Sequence, residues 1–345
     1  MISIAMATYN GEKHLREQLA SIASQTYLPL ELVVCDDGST DETLSILHEF
    51  STVAPFECRI FRNEKTLGFA ENFLRSASHC KGNWIAFCDQ DDVWLPTKLE
   101  SAYKEIINNS GLYLVLQNSY ICDDALNKSD RIFPDSIRPK AYVERSQAGF
   151  WVWPGFLQTF RADLLDEKTL TMRPKSYYPG DKTITHDKLV CLLANAIGDI
   201  VVLPEPVALY RRHAAAVTGD YSPQNLRQRV EKSLPVGGDH YLFLAEVADG
   251  TAKYLRQIAE TSDRKKSAQL KMSADCFQEI ASINACRAQL YLSATTTERF
   301  KWFVRVMQLG GYWGPSMISL GWKSGVKDLL RMLGLLGRAA PDRSL

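Results

Sequence analysis

Five apolar residues, Trp84-Ile85-Ala86-Phe87-Cys88, run without a break into Asp89-Gln90-Asp91-Asp92, and Val93-Trp94-Leu95-Pro96 follows at once. A short apolar run bounded by polar residues is the pattern of a strand buried on both faces. This strand ends abruptly in three carboxylates. Like charges packed this closely repel, and burying them unpaired is costly. A hard divalent cation relieves that cost, because Mg2+ and Mn2+ prefer carboxylate oxygens and complete their shells with water and substrate phosphate. On the motif alone two readings stand: a metal–diphosphate site at a strand end, and an acidic loop capping the helix that starts near Pro96.

The residues before this motif alternate strand and helix. Ile2–Ala7, Glu31–Cys35, Arg59–Arg62 and Trp84–Cys88 read as strands. Glu12–Ser24, Thr40–Phe50 and Phe69–Cys80 read as helices, the second with Ser39 or Thr40 as its N-cap. Such alternation predicts a parallel sheet covered by helices, whose ligands bind beyond the carboxyl ends of the strands. Three polar clusters fall at those ends and are expected to converge on one crevice: Thr8-Tyr9-Asn10, Asp36-Asp37-Gly38-Ser39 and Asp89-Gln90-Asp91-Asp92. Further on, Tyr113–Tyr120 and Ile200–Leu203 read as strands, Trp151–Gly155 as an aromatic turn segment before Phe156–Phe160, and His186–Ala196 as a helix. From about residue 220 the periodicity turns helical.

A chain of 345 residues is long enough for two domains, expected here at 1–220 and 221–345. Formal net charge is zero, which gives no hint of a nucleic-acid partner. The balance hides an asymmetry: residues 1–220 hold 22 basic and 29 acidic side chains, residues 221–345 hold 18 and 11. The eight cysteines include no Cys-x-x-Cys pair, which argues against a zinc ribbon and fits a reduced, cytoplasmic setting. Ile2–Met6 reads directly as a first strand, so no signal peptide is expected, and no apolar run reaches the length of a membrane span.

Five segments in order resemble glycosyltransferase family 2, the inverting, nucleotide-sugar-dependent enzymes with a GT-A fold. They are Ala7-Thr8-Tyr9-Asn10-Gly11, Ser21-Ile22-Ala23-Ser24-Gln25-Thr26-Tyr27, Val33-Val34-Cys35-Asp36-Asp37-Gly38-Ser39-Thr40-Asp41, Leu67-Gly68-Phe69-Ala70-Glu71-Asn72-Phe73 and Asp89–Trp94. The last has the D-Q-D-D-x-W form common in a rhamnosyltransferase-like subgroup acting on bacterial surface polysaccharides. The resemblance covers about residues 1–215. It implies a Rossmann-like mixed sheet flanked by helices, with a C-terminal helical extension. The implied partners are a UDP- or dTDP-sugar donor and a glycan or lipid-linked acceptor, and the implied cofactor is Mn2+ or Mg2+.

Carried over residue by residue, the resemblance makes Ala7 and Tyr9 base contacts. Asp37 becomes the acceptor of the pyrimidine N3–H, with Asp36 orienting the loop. Gly68 and Asn72 open a helix facing the nucleotide. Asp89 lies on the nucleotide side, Asp91 ligates the metal, and Asp92 is either a further acid of the site or a cap. Asp187, in His186-Asp187-Lys188-Leu189, is the base that takes the acceptor's proton, with Asp181 a rival. In Leu209-Tyr210-Arg211-Arg212-His213, Arg211 is a diphosphate clamp and His213 a second metal ligand. Trp151 and Trp153 either line the acceptor side or belong to the core.

The resemblance adds little beyond Thr218-Gly219. There, basic and aromatic residues interleave between 299 and 331, including Phe300, Trp302, Tyr312, Trp313 and Trp322 with Lys301, Arg305, Lys323 and Lys327. Short basic amphipathic segments suit an anionic membrane surface at the inner face of the plasma membrane; packing on the catalytic domain or in a homo-oligomer is the alternative. Two other functional classes compete with a glycosyltransferase. A nucleotidyltransferase carries a Gly-rich basic loop after its first strand, where this chain has Asn10-Gly11-Glu12-Lys13-His14. A non-catalytic sugar-binding protein on the same fold would be betrayed by degenerate acids, yet Asp37, Asp89, Asp91 and Asp187 are all present.

Overall fold

The computed structural model describes residues 1–134, 140–142, 145–177, 183–212, 236–315 and 317–335. The chain divides into two compact units. The first comprises Met1–Glu144, Val152–Thr171 and Thr185–Asp220; the second comprises Arg145–Trp151, Met172–Ile184 and Tyr221–Leu345.

The first unit opens with β1 (Ile2–Thr8), α1 (Glu12–Ala23), β2 (Glu31–Asp36), α2 (Thr43–Ser51), β3 (Glu57–Arg62), α3 (Phe69–Ser78) and β4 (Trp84–Cys88). Next come β5 (Val93–Trp94), α4 (Lys98–Asn108), β6 (Leu112–Cys122), β7 (Lys128–Phe133) and β8 (Lys140–Tyr142). It closes with β9 (Gln158–Arg161), α5 (Glu167–Thr171), α6 (His186–Ile197) and β10 (Asp199–Arg211). Among the described residues these strands form one sheet in the order β3-β2-β1-β4-β9-β6-β10-β5, with β7 on β6 and β8 on β10. Strands β3, β2, β1 and β4 are parallel, whereas β9 runs antiparallel to both β4 and β6, so the sheet is mixed. Ile2, Ile4, Met6, Val33, Ala86 and Phe87 are fully buried, as strands covered on both faces must be. Each large side chain so buried contributes ~1.5–3 kcal/mol.

Two local departures from the sequence reading have clear causes. Helix α2 begins at Thr43, not Thr40, because Ser39 Oγ binds Asp36 and the amide of Asn10 instead of capping. Asp41 shapes the turn just before the helix, accepting from Thr43 N at 3.0 Å and from the Thr43 hydroxyl at 2.6 Å. Strand β10 is a single strand of 13 residues where the sequence reading had a strand only over Ile200–Leu203. It carries register shifts on β6 around Pro206, where a proline cannot donate to the ladder.

The second unit is helical: α7 (Gly238–Ala259), α8 (Arg264–Leu292), α9 (Thr296–Gln308) and α10 (Trp322–Met332). Asp263 caps α8 through the amides of Lys265 and Lys266, and Thr295 with Glu298 forms a capping box on α9. One core cluster joins Tyr241, Ala288, Leu290, Tyr291 and Met332; another joins Ile283, Val306, Tyr312 and Ile318. Beside them the fully buried Asp328 accepts from Arg287 Nε (2.7 Å) and Nη2 (2.9 Å) and from the hydroxyls of Tyr291 (2.9 Å) and Tyr312 (2.8 Å). No helix among the described residues is long and apolar enough to cross a membrane. All eight cysteines are free thiols.

Candidate active site

The parallel register brings the three polar clusters side by side. Thr8 lies opposite Asp36 and Met6 opposite Cys88, so the turns after β1, β2 and β4 leave the sheet together. Asp36 is fully buried and holds its own turn, accepting from Thr8 Oγ1 (3.0 Å), Gly38 N (3.2 Å) and Ser39 N (2.9 Å). That is the loop-orienting role expected of it.

Asp37, also buried, reaches the other way. Its Oδ1 accepts from Asn63 Nδ2 and Leu67 N, both at 2.7 Å, and its Oδ2 from Gly68 N at 2.8 Å. The carboxylate thereby clasps the loop between β3 and α3. Gly68 has φ +88°, a left-handed conformation that favours glycine, and there it opens α3. Asn72 is buried; Nδ2 donates to the carbonyls of Cys35 (2.8 Å) and Thr8 (3.3 Å), while Oδ1 accepts from Asn63. Asn72 thus ties the ends of β1 and β2 to α3. Asn63, which the sequence reading missed, links Asp37 to Asn72. Its place directly after β3, at a strand's carboxyl end, was the available signal.

Gln90, the middle residue of the acidic turn, forms a two-point clamp on the β1 turn. Tyr9 N donates to Oε1 at 2.9 Å, and Nε2 donates to the Tyr9 carbonyl at 3.0 Å. A Cβ on Gly11 would lie 2.3 Å from Gln90 Oε1, so the clamp needs glycine there. The Tyr9 ring stays exposed, and Ala7 is half-buried beside it.

Asp89, Asp91 and Asp92 each offer a carboxylate oxygen, all within 4.8 Å of one another. Burial, then the charges of Asp91 and Asp187, push the Asp89 carboxyl up to about 8. Burial and the charges of Asp91 and Asp89 hold Asp92 well above the usual carboxylate range. Asp92 Oδ1 accepts from Arg211 N at 3.0 Å, whereas Oδ2 is buried without a hydrogen-bond partner. An oxygen-only cluster with an unanswered buried oxygen is the donor set a hard divalent cation takes. Beneath it lies a buried lysine that the sequence reading also missed. Lys98 Nζ donates to Gln117 Oε1 at 2.9 Å and sits 4.9 Å from the Trp94 ring centroid; burial lowers its pKa to about 7.

Asp187 stands in the first turn of α6, its charge felt at Asp89. Its Oδ1 accepts from Thr185 Oγ1 (2.6 Å) and Lys188 N (2.9 Å). His186 turns the opposite way, into the core. It stacks on Phe73 with centroids 4.2 Å apart and meets Phe87 edge-on at 4.9 Å. Desolvation lowers its pKa to about 4, so the ring is a neutral aromatic wedge next to Asp187 in the chain.

Arg211 departs from the clamp that the resemblance implies. Its side chain is 2% exposed, and Nε donates to the Asp91 carbonyl at 2.8 Å. Nη1 and Nη2 donate to the Asp124 carbonyl and the Glu17 carboxylate. The guanidinium therefore braces the acidic turn from within the protein. Trp153 is a core residue, 7% exposed, with its Nε1 on the Gln117 carbonyl at 2.8 Å. His213 and Asp181 lie outside the described residues.

The family model described as glycosyl transferase family 2 matches residues 3–166, which carry both the Asp36–Asp37 turn and the acidic cluster. These residues are just under half of the chain, and over them it is similar to glycosyl transferase family 2. Its mixed sheet is GT-A-like. An uncharacterized protein of Mycobacterium tuberculosis is 26% identical over 285 residues, 79% of each chain. The Escherichia coli enzyme WfgD, a UDP-Glc:alpha-D-GlcNAc-diphosphoundecaprenol beta-1,3-glucosyltransferase, is 33% identical over 126 residues, 35% of this chain and 49% of its own. In fold, the chain is similar to S. aureus TarS 1-349, crystallised with UDP-GlcNAc. The TM-score is 0.52 at 18% identity, covering 89% of this chain and 88% of that one.

Proposed function

We propose that this chain is a family 2 glycosyltransferase, inverting and metal-dependent. It moves a sugar from a nucleotide-diphosphate donor to a growing cell-surface polysaccharide or lipid-linked glycan. The observation that carries the reading is the meeting of the Asp89, Asp91 and Asp92 oxygens, within 4.8 Å of one another, with an Asp187 carboxylate whose charge reaches Asp89. Inverting transfer asks for these two functions: a site for the leaving diphosphate and a base for the incoming hydroxyl.

Asp91 is the protein ligand for Mn2+ or Mg2+, with His213 the second, and Asp89 faces the nucleotide. Bound there, the cation supplies charge neutralisation for the diphosphate. Asp187, held by Thr185 Oγ1 and Lys188 N, takes the acceptor hydroxyl's proton. The acceptor oxygen then bonds to the anomeric carbon from the face opposite the leaving group. The bond from that carbon to the diphosphate breaks, and its electron pair leaves with the nucleoside diphosphate. Tyr9 and Ala7 cover the base. Asp37 Oδ2 takes one bond from Gly68 N, and a carboxylate oxygen can accept a second, which leaves room for the pyrimidine N3–H.

The D-Q-D-D-x-W form makes dTDP-rhamnose the first donor to test, with UDP-sugars next. The name of the E. coli relative, whose acceptor is a diphosphoundecaprenol, supports a lipid-linked acceptor at the inner face of the plasma membrane. The deciding experiment is Asp187→Asn, assayed with the donor that most raises the melting temperature alongside Mn2+. Donor affinity stays near wild type while transfer falls by about 10²–10⁴-fold. Undiminished transfer would assign the base to another residue.

A further inference from the structure

Helix α10 is inside out. At 100° per residue, Trp322, Val326, Leu329 and Leu333 line up on one stripe, and all four are exposed, Trp322 at 63%. The side turned to the core carries Asp328 and Arg331, both buried, with Gly325 and Met332. Asp328 there is saturated by Arg287, Tyr291 and Tyr312, while Arg331 Nη2 donates to the Tyr291 carbonyl. A helix of a water-soluble fold puts its apolar stripe on the core and its charges outward. Here the Asp328 cluster and the Arg331–Tyr291 bond hold the polar face inward, so the apolar stripe is left facing out.

The surroundings repeat the pattern. Trp313, 69% exposed, adjoins Tyr312, whose ring lies against Gly325 of α10. On α9, Phe300 and Met307 share one face seven residues apart, and both are exposed. Val306, Tyr312 and Ile318 of the same region are core residues, so the exposed set is a selection and not a loosely packed segment.

Charge selects the partner. Residues 296–335 hold six basic and two acidic side chains. Of the two acids, Asp328 is buried and Glu298 is engaged in the Thr295 capping box. Lys301, Arg305 and Lys323 are exposed among the aromatics. A second copy docked symmetrically would set this basic face against itself, at an electrostatic cost. An anionic surface that also accepts apolar side chains meets both requirements, and tryptophans with lysines are suited to a lipid headgroup boundary.

We propose that the outer face of α10, with Trp313 and the Phe300–Met307 face of α9, docks on an anionic lipid bilayer. The site deepens the membrane-facing part of the proposed function and rests on the lipid-linked acceptor only for its purpose.

The test is sedimentation of the full chain with vesicles of equal parts phosphatidylglycerol and phosphatidylethanolamine, against vesicles of phosphatidylcholine alone. The chain sediments with the anionic vesicles, is released by salt, and stays free of the neutral ones. Trp322→Ser combined with Leu329→Ser lowers partitioning by about a hundredfold or more. Lys301→Gln combined with Lys323→Gln lowers it by about tenfold or more. Both pairs keep the donor-induced rise in melting temperature, which shows that they fold. Absence of anionic-vesicle binding, or unchanged binding by the Trp322–Leu329 pair, would overturn the proposal. So would a dimer, seen by sedimentation velocity, that the same pair dissolves without any vesicle binding. Failure of donor binding in the wild type would strike the catalytic reading and leave this one standing.

Discussion

His186 provides a stability measurement that isolates one side chain. It is 5% exposed, wedged among Phe73, Phe87 and the more distant Phe69, and its Nδ1 has no hydrogen-bond partner. Burial lowers its pKa from 6.5 to about 4. In the unfolded chain the ring takes up a proton as pH falls below 6.5; in the folded chain it resists until about 4. Between those values the unfolded state binds more protons, so stability falls as pH falls, and the loss is complete near the lower value. The full gap corresponds to about 3 kcal/mol, of which about 2.5 kcal/mol has already been lost at about pH 4.5. His186→Phe keeps an aromatic wedge and removes the proton. Urea unfolding of wild type and His186→Phe at neutral pH and at about pH 4.5 gives the difference, because the carboxylates titrate alike in each. Over that interval the wild type loses more stability than His186→Phe, by about 2 kcal/mol or more. Equal losses in the two proteins would refute the neutral wedge and imply a charged ring facing Asp187.

Asp328→Asn leaves the buried Arg287 charge without its carboxylate and lowers the unfolding free energy by about 3–5 kcal/mol, read by urea denaturation. An effect below about 1 kcal/mol would mean that the tyrosine hydroxyls alone sustain the cluster. Arg211→Lys cannot reproduce the guanidinium's contacts to the Asp91 and Asp124 carbonyls and Glu17. It costs about 1–3 kcal/mol of stability and weakens Mn2+ binding measured by calorimetry. Unchanged Mn2+ affinity would separate Arg211 from the acidic turn.

What could be read from the sequence was mostly short-range. The strands around Ile4, Val33 and Ala86 announced themselves as apolar runs, and the polar residues behind each run marked the ends that gather on one side of the sheet. Proximity along the chain also brought out the Asp89–Asp92 cluster. The pairings that span long stretches of chain stayed hidden. No local pattern reveals that Arg211 meets Glu17, that Gln90 clamps Tyr9, or that Asn63 joins Asp37 to Asn72. His186 and Asp187 look like neighbours with one task, yet the helical turn sends one ring into an aromatic pocket and the other carboxylate toward Asp89. In α10 the amphipathic pattern was visible, but its sense was not: apolar periodicity states that a stripe exists, and only the buried Arg287–Asp328 pair shows which side faces inward.

The central claim is that the acids at the end of β4 hold a divalent cation against the donor's diphosphate. Calorimetric titration of UDP and of dTDP, with and without Mn2+, into the wild type and Asp91→Ala tests it directly. Mn2+ is expected to tighten binding of at least one of the two to the wild type by roughly tenfold or more and to leave binding to Asp91→Ala unaffected. Tightening of equal size in Asp91→Ala would contradict the claim.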